Sequence, residues 1–279
     1  MAQMKIKLLF FCIWFSLNAL AQSKEPVRIF YDSRIINGHS VELSNEGALK
    51  FIISHRFGRL NSGAYQLFGL DNATARIAFD YGLSKNFSIG IGRSSFQKTF
   101  DGFIKYRLWQ QGRRGKKISI TILGGSTLNS LKLIEPNDNF RFIHRLTYNL
   151  NILIAKRFND RLSLQLSPIY IHRNLVATTE EKNDVYILQG AGRFLLKKNL
   201  SLNLEYAYAL PNQLAEPIQN CLSIGLDIDT KGHVFQLQLS NSTGMVDNLF
   251  LTQTTGKWTK GDIHYGFNIT RDFKLKGKK

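Results

Sequence analysis

Cysteine is almost missing from this 279-residue sequence, which contains only Cys12 and Cys221. Two cysteines cannot supply a disulfide framework or a cysteine-rich metal site. The six histidines are scattered along the chain without the spacing of metal ligands. The sequence therefore predicts neither a metal site nor a bound cofactor.

Long apolar runs are also missing. The run from Leu8 to Leu17 is shorter than the roughly 20 residues that a membrane-spanning helix needs. Lys5 and Lys7 precede this run, and the small-x-small site at 19–21 follows it, so residues 1–21 are predicted to be a signal peptide. No other segment approaches a spanning helix in length, which excludes a helical bundle of the inner membrane.

Acidic residues are few: 20 Asp and Glu stand against 37 Lys and Arg, for a formal charge of +17. Removing Lys5 and Lys7 with the signal peptide lowers this charge to +15. A basic excess favours anionic partners. For an exported protein these are the phosphates of lipopolysaccharide or anionic solutes, and nucleic acid is not expected.

Helical periodicity is absent, and the dominant period is two. Between Leu200 and Leu210 every second residue is large and apolar, and the residues between them are small or polar. Similar alternation predicts about twelve strands, each near the ~10 residues of a tilted membrane strand. Their predicted spans are 48–57, 75–83, 87–94, 100–109, 118–126, 145–157, 161–172, 185–196, 200–210, 221–229, 233–241 and 262–273.

The connections between these strands alternate in length. Longer loops, such as 58–74, 127–144, 173–184 and 242–261, alternate with tighter turns, such as 84–86, 158–160, 197–199 and 230–232. Outer-membrane barrels combine short periplasmic turns with long extracellular loops in this way. We therefore expect one antiparallel transmembrane β-barrel over residues 47–273 with both termini in the periplasm. Residues 22–46 would form a periplasmic segment or a plug, and residues 274–279 a basic tail.

The two faces of the strands favour a membrane barrel over a soluble β-protein. One face is rich in Leu, Ile, Tyr and Phe around the whole ring, as lipid contact requires. The other carries small residues such as Gly82, Ser88, Gly90 and Gly225, which would cover a water-facing surface poorly. In hydrocarbon every backbone amide must be paired, and strands achieve this only in a closed barrel.

Several motifs resemble a family of outer-membrane β-barrel proteins whose domain has no known function. They are Arg34-Ile-Ile-Asn-Gly-His-Ser-Val-Glu42, Ser54-His-Arg-Phe-Gly58, Phe68-Gly-Leu-Asp-Asn-Ala73, Asp80-Tyr-Gly82, Gly90-Ile-Gly-Arg-Ser94, Asp101-Gly-Phe-Ile-Lys-Tyr106, His233-Val-Phe-Gln236 and Gly266-Phe-Asn-Ile-Thr-Arg271. The resemblance spans about residues 29–273. It implies a barrel in the outer membrane and supplies no activity or catalytic residues. Phe273 resembles the terminal aromatic signal that the barrel assembly machinery reads.

The strand parity also predicts which charged residues face the lumen. These are Arg76, Asp80, Lys105, Arg107, Arg145, Arg157, Arg193, Glu205 and Asp227, together with Lys50, Arg56 and Asp101. They could form a basic constriction that favours anions, or they could pair with one another and fill a narrow barrel. If residues 22–46 form a plug, deletion of 23–44 should raise the conductance.

Catalysis has weak support in the sequence. There is no Gly-x-Ser-x-Gly elbow, and the only candidate base is His55 on the outward parity, without a serine partner. We therefore expect a non-enzymatic barrel, either a narrow passive channel for small solutes, anionic ones included, or a filled barrel that binds partners through its loops. An outer-membrane lipid enzyme is the third alternative. The apolar residues in loops 127–144 and 242–261, such as Leu131, Leu249 and Phe250, could bind a partner or cap the pore. We expect instead that the two loops pack on each other.

Overall fold

A computed structural model describes residues 25–132, 139–230 and 232–275. The predicted signal peptide 1–21 and the end of the basic tail, 276–279, lie outside this part of the chain. Twelve antiparallel strands form one closed barrel. They are β1 (Ala48–Arg59), β2 (Ala73–Ser84), β3 (Phe87–Ser94), β4 (Thr99–Trp109), β5 (Ser119–Asn129), β6 (Leu146–Arg157), β7 (Leu162–Arg173), β8 (Asp184–Lys197), β9 (Leu200–Ala209), β10 (Cys221–Asp229), β11 (His233–Ser240) and β12 (His264–Lys274).

Each strand pairs with the next along the chain, and β12 returns to pair with β1. In the closing pair Ile53 lies opposite Ile269, and in the neighbouring pair Ile53 lies opposite Ile77. Closure leaves no free strand edge, so the backbone amides of every strand can be paired without water. The predicted twelve-stranded antiparallel barrel is confirmed.

The two faces of the wall alternate as the sequence predicts. In β9 the outward Leu202, Leu204 and Tyr206 are 40%, 49% and 42% exposed, whereas the inward Asn203 and Glu205 are each 1% exposed. An outer surface whose apolar side chains are exposed to this extent is suited to contact with acyl chains rather than with water. The polar inner face is buried, so something other than bulk water covers it.

The connections divide between the two ends of the barrel, and most of the short ones lie at the same end. The end with the turns 85–86, 110–118, 158–161, 198–199 and 230–232 is here called the short-turn end. The opposite end, here called the long-loop end, carries 60–72, 95–98, 130–145, 174–183, 210–220 and 241–263. Ala48 at the start of β1 lies opposite Lys274 at the end of β12, so the barrel begins and finishes at the short-turn end.

Within residues 25–132, 139–230 and 232–275, helical structure is confined to short pieces in the connections. One α-helix, α1, covers Asp247–Thr252, and 3-10 turns cover Leu60–Ser62, Ala64–Gly69, Phe96–Lys98, Arg113–Gly115, Phe142–Arg145 and Trp258–Lys260. Within the described residues, none of these helices has the length and apolar character to cross a membrane. The period-two pattern gives no hint of α1, because six residues are too few to show a helical stripe.

Candidate functional site: the lumen and its long-loop vestibule

Residues 27–46, here called the plug segment, run inside the barrel. The segment enters at the short-turn end, where the Val27 amide donates to the Gln111 carbonyl at 2.9 Å. It then folds into a narrow hairpin in which the Ile35 amide donates to the Gly38 carbonyl at 2.9 Å. Its apolar residues form one buried cluster with inward residues of the wall: Ile29, Phe30, Ile35, Ile36, Val41, Leu153, Ala155 and Ala191.

The tip of the hairpin is anchored by Glu205. Its carboxylate accepts hydrogen bonds from the backbone amides of Ile36 at 3.3 Å, Asn37 at 3.4 Å and Gly38 at 3.0 Å. A buried carboxylate must be paired to be tolerated, and three convergent amides provide that pairing. Glu205 is therefore a receptor for the hairpin tip.

Lys105 anchors the opposite side of the hairpin. Its fully buried ammonium donates to the backbone carbonyls of Ser33 at 2.9 Å, Ser40 at 3.0 Å and Glu42 at 3.1 Å. An ammonium has three donors, and all three are used here. Gln165 adds a third anchor, since its side chain bonds the Val41 amide at 2.9 Å and the His39 carbonyl at 2.8 Å.

Ion pairs neutralise much of the remaining lumen charge. Arg76 and Asp101 are both buried and form a double contact, with Nε 2.9 Å from Oδ1. Lys50 bonds Asp32 of the plug segment at 2.5 Å. These pairs supply the partners that buried charges require.

The loop after β11 also turns into the barrel. Met245, Val246 and Leu249–Leu251 are buried, and Phe250 packs in a cluster with inward residues of β7, β8, β9 and β10. The Asp247 carboxylate accepts from Asn149 at 2.9 Å and Asn151 at 3.1 Å. The expectation that this loop packs on other loops is therefore wrong for its first half, because its apolar residues fill the barrel instead.

Arg56 links the plug segment to the 242–252 loop. Its guanidinium donates to the Asn37 side-chain oxygen at 2.7 Å and to the Ser242 carbonyl. Arg34 of the plug segment lies 3.6 Å from Asp247 in a second contact between them. The plug segment and the 242–252 loop thus form one continuous body inside the wall.

Little space remains within this body. One cavity of about 20 Å³ is lined by residues that include Asp32, Arg34 and Gln236, and a second of about 10 Å³ lies beside His39 and Phe103. Each is close to the volume that a single water requires. No solute larger than water fits between the plug segment and the wall at these two cavities.

Glycines of the inward face explain how the plug segment approaches the wall. A Cβ atom at Gly82 would lie 2.0 Å from the Asn45 carbonyl oxygen, and one at Gly225 would lie 3.2 Å from the Ile36 side chain. The small inward residues therefore leave room for the plug segment. Their abundance is a sequence signal of a filled lumen.

A vestibule of about 1140 Å³ opens above the filling, at the long-loop end. Asn248, Leu249 and Thr252 of α1 form part of its floor, and inward residues at the ends of β4–β7 form its walls. Arg145 lines it, with its guanidinium 5.0 Å from the Phe140 ring and 3.1 Å from the Asn129 carbonyl. The vestibule combines polar walls with apolar patches.

The predicted lumen residues fall into two groups. Buried among the lumen contacts are Arg76, Asp80, Lys105, Arg193, Glu205 and Asp227, together with Lys50, Arg56 and Asp101. Arg107 is partly buried and lies 3.5 Å from Glu42.

Two residues do not reach the lumen. Arg145 belongs to the 3-10 turn before β6, and Arg157 pairs with the exposed Asp160 at 2.9 Å at the short-turn end. The alternation along the strand does not predict the position of these two side chains, because both residues lie at the ends of β6.

The predicted base His55 lies against two aromatic rings. Its ring stacks on Phe267, with centroids 5.1 Å apart, and meets Phe57 edge-on at 4.4 Å. A different outward histidine has a partner: His172 Nδ1 lies 2.7 Å from Asp184, which also accepts from the Tyr170 hydroxyl at 2.6 Å. Sequence reasoning missed this trio because Asp184 lies on the neighbouring strand. No group of metal ligands occurs in the described ranges.

Closed strands, an apolar outer belt and a polar filled interior define a membrane-spanning β-barrel. The chain belongs to the family described as membrane bound beta barrel domain (DUF5777), whose model matches residues 30–273. No curated protein sequence is similar enough to extend this comparison.

Solved outer-membrane barrels share the fold. The NanC porin is 8% identical, with a TM-score of 0.50 over 81% of this chain and 100% of the porin. The KdgM porin in complex with disordered oligogalacturonate is 11% identical, with a TM-score of 0.50 over 80% and 99%. Outer membrane phospholipase A from Escherichia coli is 10% identical, with a TM-score of 0.49 over 82% and 91%. At these identities the likeness concerns the fold alone.

Proposed function

We propose that this protein is a closed outer-membrane barrel that binds a ligand at its vestibule rather than conducting solutes. In the proposed orientation both termini are periplasmic and the long loops are extracellular, as short periplasmic turns favour. The observation that carries the proposal is the filled lumen. The plug segment and the 242–252 loop occupy it together, and the cavities beside them hold about 20 and 10 Å³.

The contacts of the filling support a closed resting state. Glu205 and Lys105 each make three hydrogen bonds to the backbone of the plug segment. Hydrogen bonds to charged groups are worth about 1.5–3 kcal/mol each, and a buried group left unpaired costs more. Opening the lumen would break these bonds together, so spontaneous opening should be rare.

The vestibule is the concave surface that remains available to a ligand. Its size matches or exceeds the roughly 300–1,000 Å³ of small-molecule sites. Lys132 and Arg145 line it, and Arg173 is neutralised by Glu181 at 2.6 Å. A ligand with both an anionic group and an apolar or sugar-ring face fits this lining. The proposed role is non-catalytic, since His55 contacts only aromatic rings among its described partners.

A gated channel is the second candidate, and one observation favours it. Between residues 27 and 45 the plug segment forms no described strand pairing with the wall, and its only bridge there joins Arg34 to His39 within the hairpin. Apart from the backbone hydrogen bond between Val27 and Gln111, side-chain bonds and apolar packing hold it, so the segment could leave as a unit. A channel would then open only when a partner or ligand displaced the plug segment.

Single-channel recording on the refolded mature protein in planar bilayers distinguishes these functions. The closed-barrel proposal predicts no conductance steps across the usual voltage range. Regular steps from the intact chain would contradict it and would support a passive channel. Steps that appear only after a ligand is added would support the gated channel.

Binding at the vestibule requires its own test. Detergent-solubilised protein would be applied to an array of neutral and anionic glycans, with Arg145→Ala as the test variant. Arg161→Ala removes the same charge at the opposite end and is the matched control. We expect the Arg145 variant alone to lose binding to anionic glycans. Equal binding by all three proteins, or none by the wild type, would contradict a vestibule site for such ligands.

A further inference from the structure

The outer wall of the barrel carries a groove where lipid-facing side chains are missing. Gly190 and Gly192 occupy consecutive outward positions of β8. Across the sheet, Gly190 lies opposite Leu166 on one side and Tyr206 on the other, and Gly192 lies between Leu164 and Leu204. Two rows of large apolar side chains therefore flank the glycines, and Leu164 leans over Gly192, with its Cδ2 atom 3.2 Å from where a Cβ would lie.

The groove is roomy and apolar. Its volume is about 610 Å³, and its lining continues over Ile154 and Lys156 of β6 to Ile118 and Phe158 at the short-turn end. A Cβ atom built on Gly190 meets nothing within 4 Å, so the space in front of this residue is open. A groove with this volume falls in the range of specific ligand sites rather than of surface roughness.

The short-turn end of the groove is basic. The Lys156 ammonium lies 4.9 Å from the centre of the Phe158 ring and has no carboxylate partner among the described residues. The adjoining turns add Lys116, Lys117 and Arg161. The acidic residue in the 158–161 turn, Asp160, already binds Arg157 at 2.9 Å. A positive charge with no carboxylate partner in the described part of the chain thus lies where the apolar groove meets the edge of the membrane.

We propose that this groove binds one anionic phospholipid from the leaflet at the short-turn end. One acyl chain would lie over Gly190, between Leu166 and Tyr206, and the phosphate would lie against Lys156. Basic side chains attract anionic headgroups at a membrane surface, and a lysine stem can lie along apolar surface while its ammonium reaches the interface. The site is independent of the lumen and the vestibule.

Charge complementarity favours a lipid over a second copy of this chain as the occupant. The turns beside the groove are basic, so two copies joined through this face would bring like charges together. A lipid supplies the opposite charge and an apolar chain at the same time. Because the wall is fixed by the barrel, the groove exists before the lipid arrives.

Native mass spectrometry of the intact protein tests the proposal. Protein reconstituted with equimolar phosphatidylglycerol and phosphatidylcholine would be released from detergent and its lipid adducts counted. The wild type should retain one phosphatidylglycerol under conditions that strip phosphatidylcholine. Gly190→Leu should fill the groove, and Lys156→Gln should remove the phosphate contact. Each should lower the retained fraction about fivefold or more.

Matched variants separate this effect from a general change in the barrel. Gly124→Leu places the same side chain on another outward glycine whose Cβ meets nothing within 4 Å, and Lys182→Gln removes a charge at the long-loop end. Both should retain the lipid, and heat-modifiable gel mobility should show that all variants are folded. The proposal is overturned if the folded variants all retain phosphatidylglycerol equally, if phosphatidylcholine is retained as well, or if the wild type is a dimer that Gly190→Leu dissociates.

Discussion

The carboxylate of Glu205 on β9 lies 3.0 Å from the backbone amide of Gly38, at the tip of the plug segment. Replacing Glu205 with Leu would leave three buried amides without an acceptor, at a cost of about 1–3 kcal/mol for each amide. We expect the plug segment to loosen. The buried thiol of Cys221, beside Asn37, should then react faster with a small water-soluble maleimide. Glu205→Gln keeps an acceptor oxygen and should react at an intermediate rate, and equal rates for all three proteins would refute the anchoring role.

A side chain at Gly82 should be poorly tolerated. Its Cβ would lie 2.0 Å from the Asn45 carbonyl oxygen, which is backbone and cannot rotate away. We expect Gly82→Ala to lower stability by about 1–3 kcal/mol, the usual cost of overpacking. Heat-modifiable gel mobility gives the midpoint of unfolding. Gly124→Ala, where a Cβ meets nothing within 4 Å, is the control and should unfold like the wild type. Identical midpoints for both variants would place the plug segment elsewhere.

The ion pair between Arg76 and Asp101 should matter far more than the pair between Arg157 and Asp160. The first is buried, with Nε 2.9 Å from Oδ1, whereas Asp160 is fully exposed. Removing one partner of a buried pair costs about 3–5 kcal/mol, because the other charge is left uncompensated. We expect Arg76→Met to lower the unfolding midpoint strongly and Arg157→Met to leave it nearly unchanged. Restoration of the midpoint by the double change Arg76→Met with Asp101→Leu would identify charge pairing as the cause.

Deleting residues 23–44 should raise the conductance of the barrel. The deletion exposes basic residues such as Lys50, Arg56 and Lys105, and removes their plug-segment partners. Basic lumen residues favour anions. The reversal potential in a salt gradient should therefore indicate an anion preference. A cation preference would contradict the charge argument, and an unchanged conductance would show that the 242–252 loop alone closes the lumen.

The strand pattern could be predicted from sequence because side-chain parity is a local property. Successive side chains of a strand point to opposite faces. The alternation of Leu202, Asn203 and Leu204 along the sequence therefore shows which of them face outward and which faces inward. Parity also placed Lys105 inside the wall. Its partners, the carbonyls of Ser33, Ser40 and Glu42, could not be predicted, because no periodic pattern records where an irregular segment runs.

The filling of the lumen depends on long-range packing, which explains the errors of the sequence analysis. Leu249 and Phe250 are apolar loop residues, but nothing local indicates that their loop turns into the barrel. The parity of Arg145 matches that of Thr147 and predicts a lumen position, but Arg145 lies in the 3-10 turn and β6 begins only at Leu146. Tyr170 and His172 lie on β7 and Asp184 lies on β8, so residue spacing along a single strand does not show that the three side chains meet.

The position of the plug segment inside the wall can be measured by one cross-link. The Asn37 side-chain nitrogen lies 3.8 Å from the Cys221 sulfur, which is the free cysteine of the described residues. In cells expressing Asn37→Cys, mild oxidation should join residues 37 and 221 by a disulfide, seen as a shift in non-reducing gel mobility that Cys221→Ser abolishes. If the folded variant forms no such disulfide, the plug segment does not lie in the lumen and the closed-barrel account is wrong.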